Sequence, residues 1–424
     1  MMVDDFRPSG QRAKLHDSVQ KDKENFQTPE EVAAVDTVER PATVPDEFET
    51  ENGSMPAPSH SESKFHKAAG SRFALHWPPG KKEWAVALVV ILLAGVGTAL
   101  ALHHPATHAT IIVKKAQPMI PVKPTTVASR LTGLQVTPAQ AELPVTGVMI
   151  ENSTEARPQS GLGQAGVVFE ALAEGGITRF LALYEEGQPS SIGPIRSARP
   201  YFIDWLLPFD AGYAHVGGSP TALSEIQSEN VRDMNQFYNG STYTRITSRE
   251  APHNVYTSMA NLNALEASKG WSTSNFVGFP RKSDAPAKTP TAVTINLNPS
   301  GPSMAVQYQY NPKLNDYARD EDGAPMIDAD TGQQLAPKVV IAMVVPWADG
   351  PIDSSGAYYT EYSDIGTAAA YVFQDGTVTQ GVWSKTAPTS QLQFKTAAGA
   401  VLKLDAGQTW ITAIGTPSQV TYTP

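Results

Sequence analysis

The segment AGVVFEALAEGGITRFLALYEE, residues 165–186, is the clearest indication of the kind of domain that this chain forms. It contains two short runs rich in Val, Ile, Leu and Phe, each bounded by Gly or by charged residues. Runs of this length and composition predict β-strands. Residues 145–152 and 211–216 carry the same pattern before and after it, so further strands are expected there.

Other segments have the spacing of apolar residues that is typical of helices: residues 201–209, 219–231 and 258–270. The last of them ends in Gly270, a favoured residue after a helix C-terminus. Strands interleaved with helices predict an α/β or α+β mixed-sheet domain, which we place at residues 129–285.

Beyond residue 290 the sequence predicts strands and turns. The sequences QDGT (374–377) and AAGA (397–400) lie between segments of alternating polarity, which indicates β-hairpins. We therefore expect a β-rich second domain over residues 290–424, whose strands either stand alone or complete the sheet of the first domain.

The N-terminal part of the chain is organised differently. Residues 84–102 form an uncharged apolar run that, at about 1.5 Å rise per residue, nearly spans a hydrocarbon core of about 30 Å. We predict a single transmembrane signal-anchor helix here, in preference to a buried core helix. Basic residues cluster before this helix, which places the N-terminus in the cytoplasm and the later domains outside the cell membrane. Residues 1–83 predict a disordered cytoplasmic tail, and residues 103–128 an extracytoplasmic spacer.

The composition excludes several functional classes. The formal net charge is -10, without the basic excess that indicates nucleic-acid binding. There is no cysteine, which excludes disulfides, thiolate metal sites and a lipid-anchored N-terminal Cys. His103, His104 and His108 lack nearby residues to complete a metal site, and the acidic segment 320–332 lacks EF-hand spacing. No metal or other cofactor is predicted.

Residues 191–202, SIGPIRSARPYF, provide the first candidate site. The residue before a proline avoids α geometry and proline suits the first helical position, so a helix should begin at Pro200 with Arg199 as its cap. Arg196, Ser197 and Arg199 would then lie beside backbone N–H groups at a helix N-terminus, an arrangement suited to phosphate or carboxylate. The alternative is that both arginines pair with internal carboxylates, such as those of Glu151, Glu170, Glu174 or Asp204.

Residues 215–220, HVGGSP, repeat this pattern. Gly217 and Gly218 would let a ligand approach the backbone, and Ser219 either caps the next helix or offers its hydroxyl to an anion. Turns at the carboxyl ends of strands are where α/β sheets usually hold ligands. His215 is a candidate acid or base here, or a histidine whose hydrogen bonds are satisfied within the fold.

Further residues complete the candidate set: Arg157, Arg179 and Asn254 for ligand binding, and Glu174 and His253 for proton transfer. Glu174 and Arg179 have a plainer alternative as a surface ion pair. His215 and His253 would form an acid and base pair if the fold brings them together. No catalytic triad is recognisable, because neither Ser197 nor Ser219 has the flanking residues of a nucleophile elbow.

The run from residue 151 to residue 205, followed by HVGGSP, PHNVYTS and the segment YVFQDGTVTQGVWSK, resembles the YerB family of bacterial envelope proteins. The resemblance covers residues 135–420. It implies a two-part domain at the cell surface, often lipid-anchored, with no established activity to carry over. This chain departs from the lipoprotein pattern because it lacks cysteine and has a predicted membrane-spanning helix.

These observations favour a membrane-anchored envelope protein that binds an anionic ligand, such as a cell-wall polymer, at its Arg-rich site. One alternative is a hydrolase or transferase acting on envelope glycans or phosphodiesters. Another is a scaffold that binds a second envelope protein at the membrane surface.

Overall fold

The structure, a computed structural model, describes residues 125–353 and 355–424. The predicted tail 1–83, the predicted membrane-spanning helix 84–102 and most of the predicted spacer 103–128 lie outside the described residues. Among the helices that are described, none is both long enough and apolar enough to cross a membrane.

The α-helices in the described part of the chain are short: α1 (Pro138–Ala141), α2 (Pro200–Leu206), α3 (Pro220–Ser228) and α4 (Met259–Ser268). The strands of the two main sheets and of one separate hairpin are β1 (Thr146–Glu151), β2 (Val167–Leu172), β3 (Thr178–Tyr184), β4 (Gly212–Ala214), β5 (Arg232–Asp233), β6 (Thr294–Leu297), β7 (Val306–Asn311), β8 (Asp316–Glu321), β9 (Ala324–Pro325), β10 (Val339–Val344), β11 (Trp347–Ile352), β12 (Tyr358–Tyr362), β13 (Gly366–Gln374), β14 (Thr377–Lys385), β15 (Gln393–Thr396), β16 (Thr409–Ile414) and β17 (Val420–Thr423). Two-residue strand pairs join Val127–Ala128 to Gln135–Val136, Thr244–Arg245 to Val255–Tyr256, Arg281–Lys282 to Leu404–Asp405, and Ile327–Asp328 to Gln333–Gln334.

One ten-stranded mixed sheet contains strands from both parts of the chain, in the order β15-β14-β13-β10-β16-β2-β3-β1-β4-β5. The junction is β16, which pairs in parallel with β10 on one side and with β2 on the other. The prediction of a sheet-rich C-terminal region is confirmed. Five of its strands form an antiparallel sheet, β9-β8-β7-β6-β17, and the described residues belong to a single compact unit.

The central strands of the large sheet are buried along their whole length: β1, β2, β3, β10 and β16. Strands that are apolar on both sides need a packed layer on each face. On one face Phe202 and Trp205 of α2 pack with Ala222 and Ile226 of α3. On the other face lie the small sheet and α4, which contributes residues such as Leu262.

Local sequence signals explain where the helices begin and end. Arg199 has an extended conformation and caps α2, whose first residue is Pro200, as predicted. The Ser219 hydroxyl caps α3 by accepting from the Ala222 N–H at 3.3 Å. Gly270, at φ +78°, follows α4 in the left-handed conformation that favours glycine after a helix.

A buried ion pair connects the two sheets. Arg319 of β8 donates to the Glu170 carboxylate of β2 at 3.2 Å, and both side chains are fully buried. The Trp410 indole of β16 donates to the same carboxylate at 2.9 Å. Because these groups come from both halves of the chain, the pair fixes the small sheet on the large one.

Candidate functional site

Strands β1, β2 and β4 run in the same direction, so their carboxyl ends meet at one edge of the large sheet. Strand β3 runs the opposite way and begins at this edge, where Arg179 is paired with Glu151. The carboxyl edge of an open α/β sheet is the usual place for a ligand. Most of the polar residues selected from the sequence follow or precede these strand ends.

The fold brings the two candidate loops together. Ala198 and Gly218 form a parallel β-bridge, and the Ser219 N–H donates to the Ala198 carbonyl at 3.2 Å. The Val216 N–H likewise donates to the Arg196 carbonyl at 3.0 Å. A Cβ at Gly218 would lie 3.1 Å from the Ala198 Cβ, so a small residue is required for this approach.

Two of the predicted ligand-binding arginines are already paired within the fold. Glu174 accepts from the Arg179 guanidinium through one oxygen, and from Arg199 Nε and Nη2 through the other, at 3.0 and 2.5 Å. Both arginines are buried. Burial, and then the positive charge of Arg199, lower the pKa of Arg179 to about 10, although Glu174 opposes the shift. For these residues the alternative of internal ion pairs fits the geometry.

The hairpin of β11 and β12 covers this ion-pair cluster. Tyr359 forms a β-bridge with Glu174, and its ring centroid lies 5.0 Å from the Arg199 guanidinium carbon. The distance is within the range of a cation–π contact. Glu174 is therefore engaged by two arginines and by the hairpin.

A second cluster surrounds the Glu151 carboxylate at the end of β1. His253 Nδ1 lies 2.9 Å from Glu151 Oε2, and the Ser153 hydroxyl donates to Oε1 at 3.2 Å. Arg196 Nε lies 3.2 Å from the same Oε1, a charge contact without the direction of a hydrogen bond. We call Glu151, Ser153, Arg196 and His253 the Glu151 cluster.

Among Arg179, Arg196 and Arg199, Arg196 is the most exposed and has the fewest contacts within the fold. Its side chain is 23% exposed, whereas Arg179 and Arg199 are 6% and 5% exposed. In residues 125–353 and 355–424 its terminal guanidinium nitrogens have no hydrogen-bond partner. A guanidinium carries five N–H donors, so Arg196 retains donors for an external anion.

His215 has a different environment from His253. It is fully buried, with Nδ1 2.6 Å from the Gly217 carbonyl and Nε2 3.0 Å from Asp233 Oδ1. Burial acts to raise the pKa of Asp233, but the hydrogen bond and charge of His215 outweigh it and lower the pKa. Both ring nitrogens of His215 are used within the fold, and the two histidines share no contact partner.

The remaining candidates have structural contacts. Arg157 donates to Glu321 of the small sheet at 3.2 Å and to the Ser303 carbonyl at 2.9 Å. Asn254 accepts from Arg245 at 2.8 Å. Ser197 is half-buried, and its carbonyl accepts from Arg179.

Gly217 adopts φ +57°, and its N–H donates to Asn235 Oδ1 at 3.2 Å. The Phe237 N–H donates to the same oxygen, which places the exposed Phe237 ring beside this glycine. Ser153, Asp233 and Phe237 were not selected from the sequence. Asp233 and Phe237 reach the site through contacts with His215 and Gly217, which are distant in the chain, and Ser153 is placed there by Glu151, two residues before it. No group of three or more metal-ligating side chains occurs in the described ranges.

Comparisons with known proteins agree with this two-part architecture. Residues 131–272 match the N-terminal domain, and residues 293–411 the C-terminal domain, of a protein family of unknown function, DUF3048. YerB of Bacillus subtilis (strain 168), described as a candidate lipoprotein, is 32% identical over 288 residues, which are 67% of this chain and 85% of YerB. The crystal structure of YerB from Bacillus subtilis matches with a TM-score of 0.63 and 28% identity, covering 70% of this chain and all of that one. The resemblance to the YerB family is thereby confirmed.

Proposed function

This chain belongs to the DUF3048 family and is a relative of YerB, and from that premise we propose that it is an envelope protein that binds an anionic ligand at Arg196. The description of the relative as a candidate lipoprotein supports a location at the cell envelope. We further propose that residues 84–102 anchor the chain in the cell membrane, with residues 1–83 in the cytoplasm and the spacer 103–128 and the two-part domain outside.

The observation that carries the proposal is that the terminal nitrogens of the Arg196 guanidinium have no hydrogen-bond partner among the described residues. Three arginines of this edge, Arg179, Arg196 and Arg199, contact the carboxylates of Glu151 and Glu174. Glu174 faces both buried arginines, and Glu151 contacts Arg196 only at Nε. The exposed terminal nitrogens of Arg196 are therefore the donors from which a phosphate or carboxylate can accept two N–H bonds.

Aromatic side chains beside the site suggest what else the ligand contains. Phe237 and Tyr238 are 69% and 79% exposed, and the backbone of Phe237 is fixed to the same Asn235 oxygen as Gly217. Phe237 thus lies beside the loop whose Val216 N–H donates to the Arg196 carbonyl, and an exposed ring there fits a ligand with both apolar faces and negative charge. A cell-wall polymer of sugar or polyol units joined by phosphates has this combination, and we propose that class of ligand.

Substitution of Arg196 tests the proposal. Soluble poly(glycerol phosphate), with neutral dextran as its uncharged counterpart, is titrated onto the full-length protein purified in a non-ionic detergent. Hydrogen bonds to a charged group contribute about 1.5–3 kcal/mol, so Arg196→Ala should weaken poly(glycerol phosphate) binding about 10- to 100-fold, and Arg196→Lys less. Dextran should bind weakly to every variant.

Arg232 provides a matched control. Its side chain is 22% exposed, close to the value for Arg196, but Asp210 pairs with it at 2.8 Å. It lies opposite the first residue of β4, at the other edge of the sheet. Arg232→Ala should leave binding unchanged. Equal losses in both variants, or no loss in Arg196→Ala with an unchanged melting temperature, would contradict the proposal, and co-purification of a stoichiometric envelope protein would favour the scaffold alternative.

A further inference from the structure

The Glu151 cluster contains a histidine with one ring nitrogen bound and the other open. His253 Nδ1 is held by Glu151 Oε2 at 2.9 Å, while its Nε2 has no hydrogen-bond partner within the described part of the chain. The side chain is 21% exposed. A carboxylate at Nδ1 fixes the tautomer with its proton on that atom and directs the Nε2 lone pair outward, which is the arrangement of a general base.

The carboxylate that orients His253 is itself fixed. Glu151 is buried, and it also accepts from the Ser153 hydroxyl at 3.2 Å and contacts Arg196 at 3.2 Å. The Glu151 carboxylate therefore contacts both the imidazole of His253 and the guanidinium of Arg196. A ligand phosphate bound by Arg196 would lie beside the open nitrogen of His253.

The other charged groups near His253 are Arg249 and Glu155. Arg249 donates to the Glu155 and Pro158 carbonyls at 2.5 and 2.8 Å. The Glu155 carboxylate is close enough for its charge to interact with His253, and the Tyr256 hydroxyl interacts with Arg249. Ser153 is buried and bonded to Glu151, so its hydroxyl is not an accessible nucleophile. Water is the nucleophile that this arrangement can activate.

We propose that His253, oriented by Glu151, transfers protons in the hydrolysis of a phosphodiester held by Arg196, an activity that rests on the proposed function. His253 Nε2 removes a proton from water as the water oxygen forms a bond to phosphorus. The phosphorus–oxygen bond to one alcohol then breaks, and the leaving alkoxide takes the proton back from the imidazolium. One water is consumed, a phosphomonoester and an alcohol are released, and no oxidant or reductant is needed. Arg196 offsets the charge that develops on the phosphate oxygens.

The test follows poly(glycerol phosphate) by ³¹P NMR in the presence of the full-length protein, with bis(4-nitrophenyl) phosphate as a chromogenic probe. The wild type should convert diester signals to monoester signals. His253→Ala and His253→Gln should lower the rate about 10²- to 10⁴-fold, which is the usual effect of removing a general base, while polymer affinity stays within about twofold. The control Arg232→Ala should cleave like the wild type.

Glu151 acts as a positioning residue, and a separate readout distinguishes this role from a loss of fold. Glu151→Gln should lower kcat with little change in KM, because the ligand contact at Arg196 remains. Near-UV circular dichroism shows whether the packing is retained. Glu151→Asp should recover part of kcat, since it restores a carboxylate that can face Nδ1.

The outcomes separate the two proposals. Binding without any monoester release by the wild type overturns the proton-transfer role of His253 and leaves the anion-binding function intact. Cleavage that survives both His253 variants also overturns it. Absence of Arg196-dependent binding overturns the proposed function together with this inference.

Discussion

The ion pair between Glu170 and Arg319 gives a quantitative test of how the two sheets hold together. The Glu170 carboxylate accepts from Arg319 at 3.2 Å, from Trp410 at 2.9 Å and from the Thr412 hydroxyl at 3.0 Å. Arg319 also donates to the Tyr308 hydroxyl at 2.7 Å, and its guanidinium lies 4.4 Å from the Trp410 ring centroid. Burial acts to lower the pKa of Arg319, but Glu170 and its neighbours outweigh it and raise the pKa.

Arg319→Met removes the buried cation and leaves the Glu170 charge with neutral donors only. Breaking a buried pair in this way costs about 3–5 kcal/mol of the free energy of unfolding. Glu170→Gln should cost less, about 2 kcal/mol, because Arg319 keeps a second carboxylate, Glu321, at 3.6 Å. The double variant removes both charges of the pair at once. Its loss of unfolding free energy should therefore be about 2 kcal/mol smaller than the sum of the losses in the two single variants.

Urea unfolding followed by tryptophan fluorescence measures these costs, since Trp410 contacts both members of the pair. With a urea dependence of about 3 kcal/mol per M, Arg319→Met should lower the midpoint by about 1–2 M. A matched surface change is Glu361→Gln on β12, where the side chain is exposed and a shift under about 0.5 kcal/mol is expected. A cost below about 1 kcal/mol for Arg319→Met, or strict additivity in the double variant, would show that the pair does not connect the sheets energetically.

Burial raises the pKa of Glu266 from 4.5 to about 7, so the native state binds this proton more tightly than the unfolded state does. The resulting contribution to the free energy of unfolding is fully present below pH 4.5 and is lost as the pH rises through 7. Glu266→Gln keeps the acceptor that Thr146 contacts at 3.0 Å, and above pH 7 its free energy of unfolding should exceed that of the wild type by up to about 3 kcal/mol. Melting curves at pH 5 and pH 8 test this expectation, and an equal difference between variant and wild type at both pH values would contradict the assignment. The proposed membrane topology can be tested by single-cysteine labelling of intact cells, because the chain has no native cysteine. A membrane-impermeant maleimide should label Ser268→Cys and not Ser61→Cys. The opposite labelling pattern would reverse the proposed orientation.

Local features of the fold could be predicted because their causes are local. The start of α2 follows from the geometry of Arg199 and Pro200, which are adjacent, and no distant contact is needed to place it. The turn between β13 and β14 follows in the same way from Asp375 and Gly376, which adopt φ +56° and +73°. The strands β1 to β4 were predicted from their apolar runs.

The pairing of the candidate site residues could not be predicted, because it depends on strand order. Glu174 follows β2, and Arg199 precedes α2, yet they meet because the ends of the strands share one edge. The sequence provided Glu174 as one of several possible partners and gave no means to choose among them. His215 follows β4, and His253 lies in the turn before the short strand Val255–Tyr256. Only the fold shows that Asp233 contacts His215 and that Glu151 contacts His253.

The position of β16 affects how the protein can be synthesised. Thr409–Ile414 is inserted between β10 and β2, so the large sheet stays in two pieces, each with an open edge, until the ribosome has translated beyond residue 414. Open strand edges pair readily with other chains, and both pieces carry them throughout translation and the proposed export. A polypeptide truncated before residue 409 would contain almost all of the sequence and still be a substrate for chaperones and proteases.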